Sequence, residues 1–436
     1  MNKKYIYMLL FIFILLDLVG CSNIAAEKAP TIETHLEKYQ QYKQKELVDR
    51  EEDINEEDKK KILIEKYIQE MTVEEKIGQV FMEAFRYNKN NKPITSLDKE
   101  VIVTLETYQL GGIIFFAENI DTIEQTQNLI RAMQEISKIP LFIAIDEEGG
   151  LVSRLNSSPN MPATRLPGNK ALGDTGDVEL AYKIGRLLGR ELASLGFNMN
   201  LAPVADVNTN PKNPVIGNRS FGRDPYKVGE MVANMARGIQ EENISAVVKH
   251  FPGHGDTSFD THERAVTLHH DRDRLESVEF LPFKRSIKED VDGVMLAHIK
   301  VPHLTSKPLP ATLSKEIVTD ILREDLQHEK LIITDALEMA AIARYWSPGE
   351  AAVLAFEAGA DILLMPESLE EAYGALLNAV GQGRITEERL NASIKRILTV
   401  KHERGVLEAV DRELIPEKVL GSQEHQELIK QIKDSK

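Results

Sequence analysis

The sequence predicts an α/β protein folded as one (β/α)8 barrel, a TIM barrel, that spans residues 62–405. One observation is a repeating pattern in which eight short apolar runs alternate with longer amphipathic segments, as in a parallel sheet covered by helices. The other is that reactive polar residues follow five of these runs, at the strand ends where such barrels carry active sites. Together they predict a single catalytic domain.

The predicted strands are short and apolar, and helix-like segments with capping residues lie between them. The strands cover residues 78–85, 112–116, 141–145, 199–203, 246–249, 293–296, 331–334 and 362–365. The predicted helices cover residues 121–137, 177–195, 225–242, 273–288, 314–326 and 348–358. The polar residues that follow strands three to seven are Asp146, Asp206, Lys249 with His250, His298 and Asp335. Because strand ends meet at one mouth, these side chains are expected to share a site.

The composition of the chain excludes several classes of function. A formal net charge of -16 over 436 residues disfavours binding to a nucleic acid backbone. A single cysteine, Cys21, rules out an intrachain disulfide and a thiolate metal cluster. The glycine-rich spacings that cradle a nucleotide phosphate are missing. We therefore expect no cofactor and no nucleic acid partner, and we expect a monomer.

The N-terminus has the pattern of an export signal. Lys3 and Lys4 precede an apolar run over residues 5–16, and residues 18–21 (LVGC) resemble the bacterial lipobox. We predict a lipoprotein signal peptide over residues 1–20, cut before Cys21, whose acylated thiol anchors the exported protein to the bacterial cell membrane. The alternative is a buried N-terminal helix with an incidental cysteine. Residues 21–61 are highly charged and are predicted to form a tether.

The segment over residues 249–262 is the richest in candidate catalytic groups. It holds three of the 11 histidines, and its glycines favour a long loop. Asp260 and His262 lie two residues apart, so the carboxylate can hydrogen-bond the imidazole and favour its protonated form, a proton donor. The alternative is a solvated loop with a local turn at Asp260. Asp206, His254 and Asp256 are predicted to hold the shape of the loops.

Asp335 ends the seventh predicted strand. A carboxylate held there can act as a nucleophile, a metal ligand or an electrostatic stabiliser. The alternative is an N-cap for a helix that starts near Ala336. His250, His254, His262 and Asp335 would make a conceivable metal set, but the usual spacings of metal-binding histidines are absent, so no metal is predicted.

The motifs of the sequence resemble those of a known family. Residues 249–257 (KHFPGHGDT) with 260–262 (DTH) are similar to the β-N-acetylglucosaminidases of glycoside hydrolase family 3. The same order of motifs continues with residues 146–150 (DEEGG) and Arg154, 202–208 (APVADVN), 214–221 (PVIGNRSF) and 334–339 (TDALEM). The resemblance covers the whole predicted barrel.

The resemblance implies a role for each matching residue. Asp335 would be the nucleophile, His262 the acid/base and Asp260 its orienting partner. The residues that would bind the terminal sugar are Asp146, Arg154, Arg219, Lys249 and His250. The subgroup takes its acid/base from the barrel itself, and residues 406–436, predicted as a helical tail, are too few for a complete C-terminal αβα domain.

The implied activity is a retaining exo-β-N-acetylglucosaminidase that removes terminal GlcNAc from peptidoglycan or muropeptide fragments. Two kinds of alternative remain open. One is a different activity of the same family, a β-glucosidase, a β-xylosidase or a GlcNAc phosphorylase. The other is a sugar-binding lipoprotein without catalysis, which would need neither the nucleophile nor the acid.

Overall fold

The computed structural model describes residues 55–258, 266–408 and 415–435. The barrel lies in the compact unit Lys60–Lys436, and the other unit, Met1–Lys59, is described only over residues 55–59. The predicted signal peptide with Cys21, nearly all of the predicted tether, and the pair Asp260 and His262 lie outside the described residues.

The barrel is built from short parallel strands. The described part of the chain contains β1 (Phe81–Glu83), β2 (Gly112–Phe115), β3 (Phe142–Ile145), β4 (Met199–Asn200), β5 (Ser245–Phe251), β6 (Val266–Thr267), β7 (Gly293–Leu296), β8 (Ile299–Lys300), β9 (Leu331–Ile333) and β10 (Leu363–Leu364). Eight of them pair in parallel in the order β10-β1-β2-β3-β4-β5-β7-β9, and a parallel bridge between Ile333 and Ile362 joins the two edges. The predicted (β/α)8 barrel is confirmed.

The strands are buried on both faces, which explains their continuous apolar sequence. Every residue of β2, β3, β5, β7 and β9 is buried. Side chains of one face fill the barrel, and those of the other face pack under the helices. A strand with both faces covered shows no alternation of polar and apolar residues, so short apolar runs are the pattern to expect.

Helices surround the sheet. They are α1 (Glu56–Glu70), α2 (Val73–Gln79), α3 (Lys99–Tyr108), α4 (Ile123–Ile136), α5 (Asn169–Thr175), α6 (Val178–Leu195), α7 (Pro225–Glu241), α8 (Arg272–Ser277), α9 (Leu281–Lys288), α10 (Ala340–Ala343), α11 (Pro348–Ala358), α12 (Leu369–Gly381), α13 (Glu387–Glu403), α14 (Pro416–Val419) and α15 (Gln423–Asp434), with a π-helix at Glu316–Asp325. None of the helices in the described ranges is both long enough and apolar enough to cross a membrane.

Two of the differences between the predicted and the observed elements have local reasons. The first strand begins at Phe81 rather than at residue 78, because Thr72 and Glu75 form a reciprocal capping box that starts α2 and carries the helix through Gln79. The single helix predicted over residues 273–288 is two helices, α8 and α9. Pro282 has no N–H to donate to the carbonyl of Val278, so the helix cannot continue through it.

A buried lysine lies against the floor of the barrel. Lys401 on α13 is fully buried, and its Nζ donates to Gln79 Oε1 at 2.9 Å and lies 5.2 Å from the centre of the Phe142 ring. Burial lowers the pKa of Lys401 to about 7. In the unfolded chain a lysine has a pKa of about 10.4. Between these values the unfolded chain binds more protons, so the free energy of unfolding rises with pH.

Replacing this lysine is expected to remove that pH dependence. In the unchanged protein, the free energy of unfolding by urea should rise between pH 7 and 9 by up to about 1.4 kcal/mol per pH unit. In Lys401→Met this rise should be absent. Lys430→Met, at an exposed position of α15, is the control and should follow the unchanged protein. Parallel pH profiles for Lys401→Met and the unchanged protein would contradict the account.

Candidate active site

A polar cavity opens at the carboxyl ends of the barrel strands. Its volume is about 350 Å³, within the range of small-molecule sites. Six of the predicted site residues line it together: Asp146, Arg154, Arg219, Lys249, His250 and Asp335. The apolar part of the cavity wall includes Ile114, Leu201 and Met295. The fold thus brings together residues that are up to 189 positions apart, from Asp146 to Asp335.

Four buried or half-buried charges form an ion network in one wall of the cavity. Lys249 Nζ lies 2.5 Å from Asp146 Oδ1 and 2.8 Å from Glu148 Oε1. Arg219 donates to both oxygens of Glu148, at 2.9 Å and 2.7 Å. The network has two cations and two carboxylates, so its charges balance. Arg154 adds a longer contact, 3.5 Å from Nη2 to Asp146 Oδ2.

The network sets the protonation of its members. Burial by itself raises the pKa of Glu148, but the charges of Lys249 and Arg219 outweigh burial and hold it far below its usual range. For Lys249, burial lowers the pKa, while Asp146 and Glu148 raise it by more. Lys249 therefore stays charged and Glu148 stays ionised near neutral pH. A neutral, polyhydroxylated ligand would meet fixed donors and acceptors here.

The elements that carry this network are rigid. Lys249 lies within β5, and Asp146 directly follows β3. Arg219 ends the short 3-10 turn Gly217–Arg219, and its carbonyl accepts a hydrogen bond from Asn169 Nδ2 at 2.8 Å. Lys249 and Arg219 are thus held by backbone that is itself hydrogen-bonded, and Asp146 directly follows a paired strand.

Asp206 organises the neighbouring wall. The residue is fully buried, and its carboxylate accepts from the backbone N–H of His254 at 2.6 Å and of His250 at 3.3 Å. His250 Nδ1 lies 2.7 Å from the other carboxylate oxygen. Because an ionised carboxylate only accepts, the Nδ1 of His250 carries the proton, which fixes the orientation of the ring at the cavity. The geometry fits the predicted shaping role of Asp206.

The loop after β5 is anchored as far as residue 258, where the description of that segment ends. His254 Nδ1 lies 2.8 Å from Thr257 Oγ1, and the His254 carbonyl accepts from Asn213 Nδ2 at 2.8 Å. Asp256 accepts from the hydroxyl of Thr209 at 2.7 Å. Gly253 has φ +124°, and a Cβ there would lie 2.7 Å from Cγ of the buried Glu279, so only glycine fits. These contacts fit the predicted role of His254 and Asp256 in holding the shape of the loop, and His254 also lines the cavity.

Asp335 stands beside the polar wall at the end of the seventh barrel strand. It follows β9 and Thr334, and its N–H donates to the Leu296 carbonyl at 3.1 Å. The carboxylate accepts from the N–H of Ala336 at 2.9 Å. No helix starts at Ala336 in this described stretch, since α10 begins at Ala340, so the N-cap alternative is wrong.

His298 supports the backbone next to Asp335 and is not one of the residues that line the cavity. Its Nε2 lies 2.9 Å from the Ala336 carbonyl and its Nδ1 lies 2.8 Å from Thr312 Oγ1. The sequence placed this histidine at the mouth with the reactive groups. In the structure the ring is buried and holds the turn that presents the neighbouring aspartate.

Three charged lining residues were not assigned a role from the sequence: Glu148, Arg86 and Glu338. Glu148 stands in the motif that follows β3, so an acidic residue two positions after Asp146 was the available signal. Arg86 is paired with Glu118 at 2.5 Å and lies 4.5 Å from the centre of the Phe116 ring. Burial raises the pKa of Glu338 against the attraction of Arg86. Glu338 stands in the 334–339 motif, which was the available signal, whereas nothing in the local sequence distinguishes Arg86 from an ordinary loop residue.

Among the residues described by the structure, no group of three or more His, Cys, Asp or Glu side chains is arranged to hold a metal ion. The histidines at positions 250 and 254 instead bond to protein partners.

A barrel with acidic, cationic and histidine side chains at the carboxyl ends of its strands defines the class of (β/α)8 barrel enzymes. The sequence profile described as "Glycosyl hydrolase family 3 N terminal domain" matches residues 72–400. The chain belongs to glycosyl hydrolase family 3, and the resemblance seen in its motifs is confirmed.

Named relatives agree with this assignment. The chain is 36% identical to the "Beta-hexosaminidase A" of Pseudoalteromonas piscicida, over 76% of this chain and 61% of the relative. It is 33% identical to a "Beta-hexosaminidase" of Nitrosomonas eutropha, over 68% of this chain and 86% of the relative. A solved family 3 β-N-acetylglucosaminidase from Paenibacillus sp. str. FPU-7 has 40% identity and a TM-score of 0.78, over 84% of this chain and 69% of that one. The chain thus spans less than two thirds of the Pseudoalteromonas relative.

Proposed function

We propose that this protein is a retaining exo-β-N-acetylglucosaminidase that hydrolyses a terminal β-linked GlcNAc through a covalent glycosyl-enzyme. The observation that carries the proposal is that the Asp335 carboxylate shares one cavity with the ion network of Asp146, Lys249 and Arg219. A carboxylate facing fixed sugar-binding groups is the arrangement that nucleophilic attack on a glycoside requires. The names of the relatives support GlcNAc as the sugar.

The reaction has two steps. In the first, an oxygen of Asp335 attacks the anomeric carbon while His262 gives a proton to the glycosidic oxygen, so that the bond to the leaving group breaks and an alcohol departs. In the second, His262 takes a proton from water, which attacks the same carbon and releases Asp335. Two inversions give net retention. Asp260 would orient His262 and favour its protonated form before the first step.

The polar wall would hold the sugar in the correct position for attack. Asp146 offers acceptor oxygens to hydroxyl groups, and Lys249, Arg154 and Arg219 offer donors to hydroxyl and carbonyl oxygens. His250 is held by Asp206 in one orientation, so its ring can contact the ligand at a defined place. Because these groups are ordered before the ligand arrives, little entropy is lost in arranging them.

The proposed natural substrates are GlcNAc-terminated peptidoglycan or muropeptide fragments. The support is the predicted export and lipid anchoring at Cys21, which would place the enzyme at the outer face of the membrane beside the wall. The substrate class thus depends on the location of the protein, and the reaction depends on the cavity. The two parts of the proposal can be tested separately.

Asp335→Asn should abolish turnover with little change in fold, because an amide has the shape of the carboxylate but is a poor nucleophile. With p-nitrophenyl β-N-acetylglucosaminide we expect kcat to fall at least about a thousandfold. Asp273→Asn, at an exposed position of α8, is the matched control and should keep full activity. Comparable turnover by Asp335→Asn would refute its role. A preference of the unchanged protein for the β-glucoside would refute the sugar, and a requirement for phosphate would replace hydrolysis by phosphorolysis.

His262→Ala should show a loss of activity that depends on the leaving group. For a disaccharide, kcat/KM should fall by about 10²–10⁴-fold, whereas a dinitrophenyl glycoside, which leaves without protonation, should lose much less. The control is His303→Ala, at an exposed position, with unchanged kcat/KM for both substrates. An equal loss for both leaving groups would show that His262 does not act as the acid.

Lipid anchoring should depend on a single sulfur atom. Cells that express Cys21→Ala and are fed a labelled fatty acid should yield unlabelled protein, while Ser22→Ala should be labelled like the unchanged chain. Labelled Cys21→Ala protein would rule out the proposed anchor. This outcome would leave the proposed reaction untouched.

A further inference from the structure

The described segment 415–435 follows the part of the chain that the family profile matches. Its helices α14 and α15 pack against α6, and α15 also packs against α5. His425, Ile429 and Ile432 are buried on the inner side of α15. The helix therefore has a specific docking site on the barrel, on the side of the loop that follows β3.

One buried carboxylate joins this segment to that loop. Glu191 on α6 accepts from Gly421 N–H at 3.0 Å and lies 2.9 Å from His425 Nδ1. The same carboxylate accepts from the N–H of Thr164 at 3.0 Å and from its hydroxyl at 2.5 Å. Thr164 belongs to the loop that starts with Asp146. Glu191 thus holds the tail on one side and the loop on the other.

The loop after β3 also contacts the residues next to the ion network. Gly150 N–H donates to the Leu166 carbonyl at 3.1 Å, and a Cβ at Gly149 would lie 2.8 Å from Leu166 Cβ. These glycines directly follow Glu148, a member of the ion network. Ile432 of α15 lines a small pocket together with Glu148 and Leu166. The segment therefore lies behind the acidic wall, and the loop after β3 connects the two.

The segment 415–435 lies close to the loop after β3 at Gly421. Gly421 has φ +60°, and a Cβ at this position would lie 2.4 Å from the Pro162 carbonyl oxygen. A contact that admits only glycine leaves little room for the loop to shift while the tail is docked.

We propose that the segment 415–435 is a positioning element for the sugar-binding wall, with His425 and Glu191 as its positioning residues. This proposal rests on the proposed function, because the wall that the segment supports is the one assigned to the terminal GlcNAc. The segment fixes the loop over residues 146–168 so that Asp146, Glu148 and Arg154 meet the sugar in one geometry. Loosening the tail should weaken sugar binding before it affects the chemistry at Asp335, which is held by β9.

The test is steady-state kinetics of His425→Ala and Ile432→Ala in the full-length protein with p-nitrophenyl β-N-acetylglucosaminide. We expect KM to rise about tenfold in His425→Ala and less in Ile432→Ala, with kcat within about twofold of the unchanged protein. His425→Asn places an amide donor at the position of Nδ1 and should return the KM close to that of the unchanged protein. Glu427→Ala, at an exposed position of α15, is the control and should leave KM unchanged.

Two results would overturn the proposal. One is a KM at the level of the unchanged protein in both folded variants. The other is a fall in kcat without a rise in KM. If the unchanged protein turns over no GlcNAc substrate, the proposed function fails, and amide exchange then decides the positioning role. Thr164 and Gly150 should exchange faster in His425→Ala than in Glu427→Ala, and equal exchange would refute it.

Discussion

The buried ion network of Lys249, Asp146, Glu148 and Arg219 is the interaction on which the rest of the site depends. Its charges balance, and each is held by a direct contact of at most 2.9 Å. Removing one member would leave the buried network with an unbalanced charge, and breaking a buried ion pair typically costs about 3–5 kcal/mol. The network therefore constrains β3, β5 and the turn at Arg219 together, and the cavity takes its shape from that constraint.

Buried carboxylates also link segments of the chain on other sides of the site. Asp206 joins the end of β5 to the loop that follows it by accepting from two backbone N–H groups and one imidazole. Glu191 joins the loop after β3 to the C-terminal segment. In each case a buried carboxylate accepts from donors on separate segments of the chain and so links those segments. These two carboxylates therefore link the described loops on two sides of the barrel mouth.

The sequence predicted the barrel well because the strands are buried on both faces and the helices carry clear caps. It also predicted which polar residues meet, since Asp146, Lys249 and Asp335 each follow a strand. It did not predict the helix that contains Gly78, because the capping box at Thr72 outweighs the apolar run that follows. It did not separate His298, which supports backbone, from residues that face the cavity, because both types follow strands. The role of Glu148 and the docking of α15 depend on contacts between distant segments, which no local pattern contains.

The central claim is that Asp335 forms a bond to the sugar, and the most direct test is to trap that bond. The protein would be incubated with a fluorinated GlcNAc glycoside whose glycosyl-enzyme forms faster than it is hydrolysed, then digested and analysed by mass spectrometry. The account predicts the added mass of one such sugar on the peptide that contains Asp335, and on that residue after fragmentation. An adduct on another carboxylate, such as Glu338, or rapid turnover with inversion and no adduct, would contradict it.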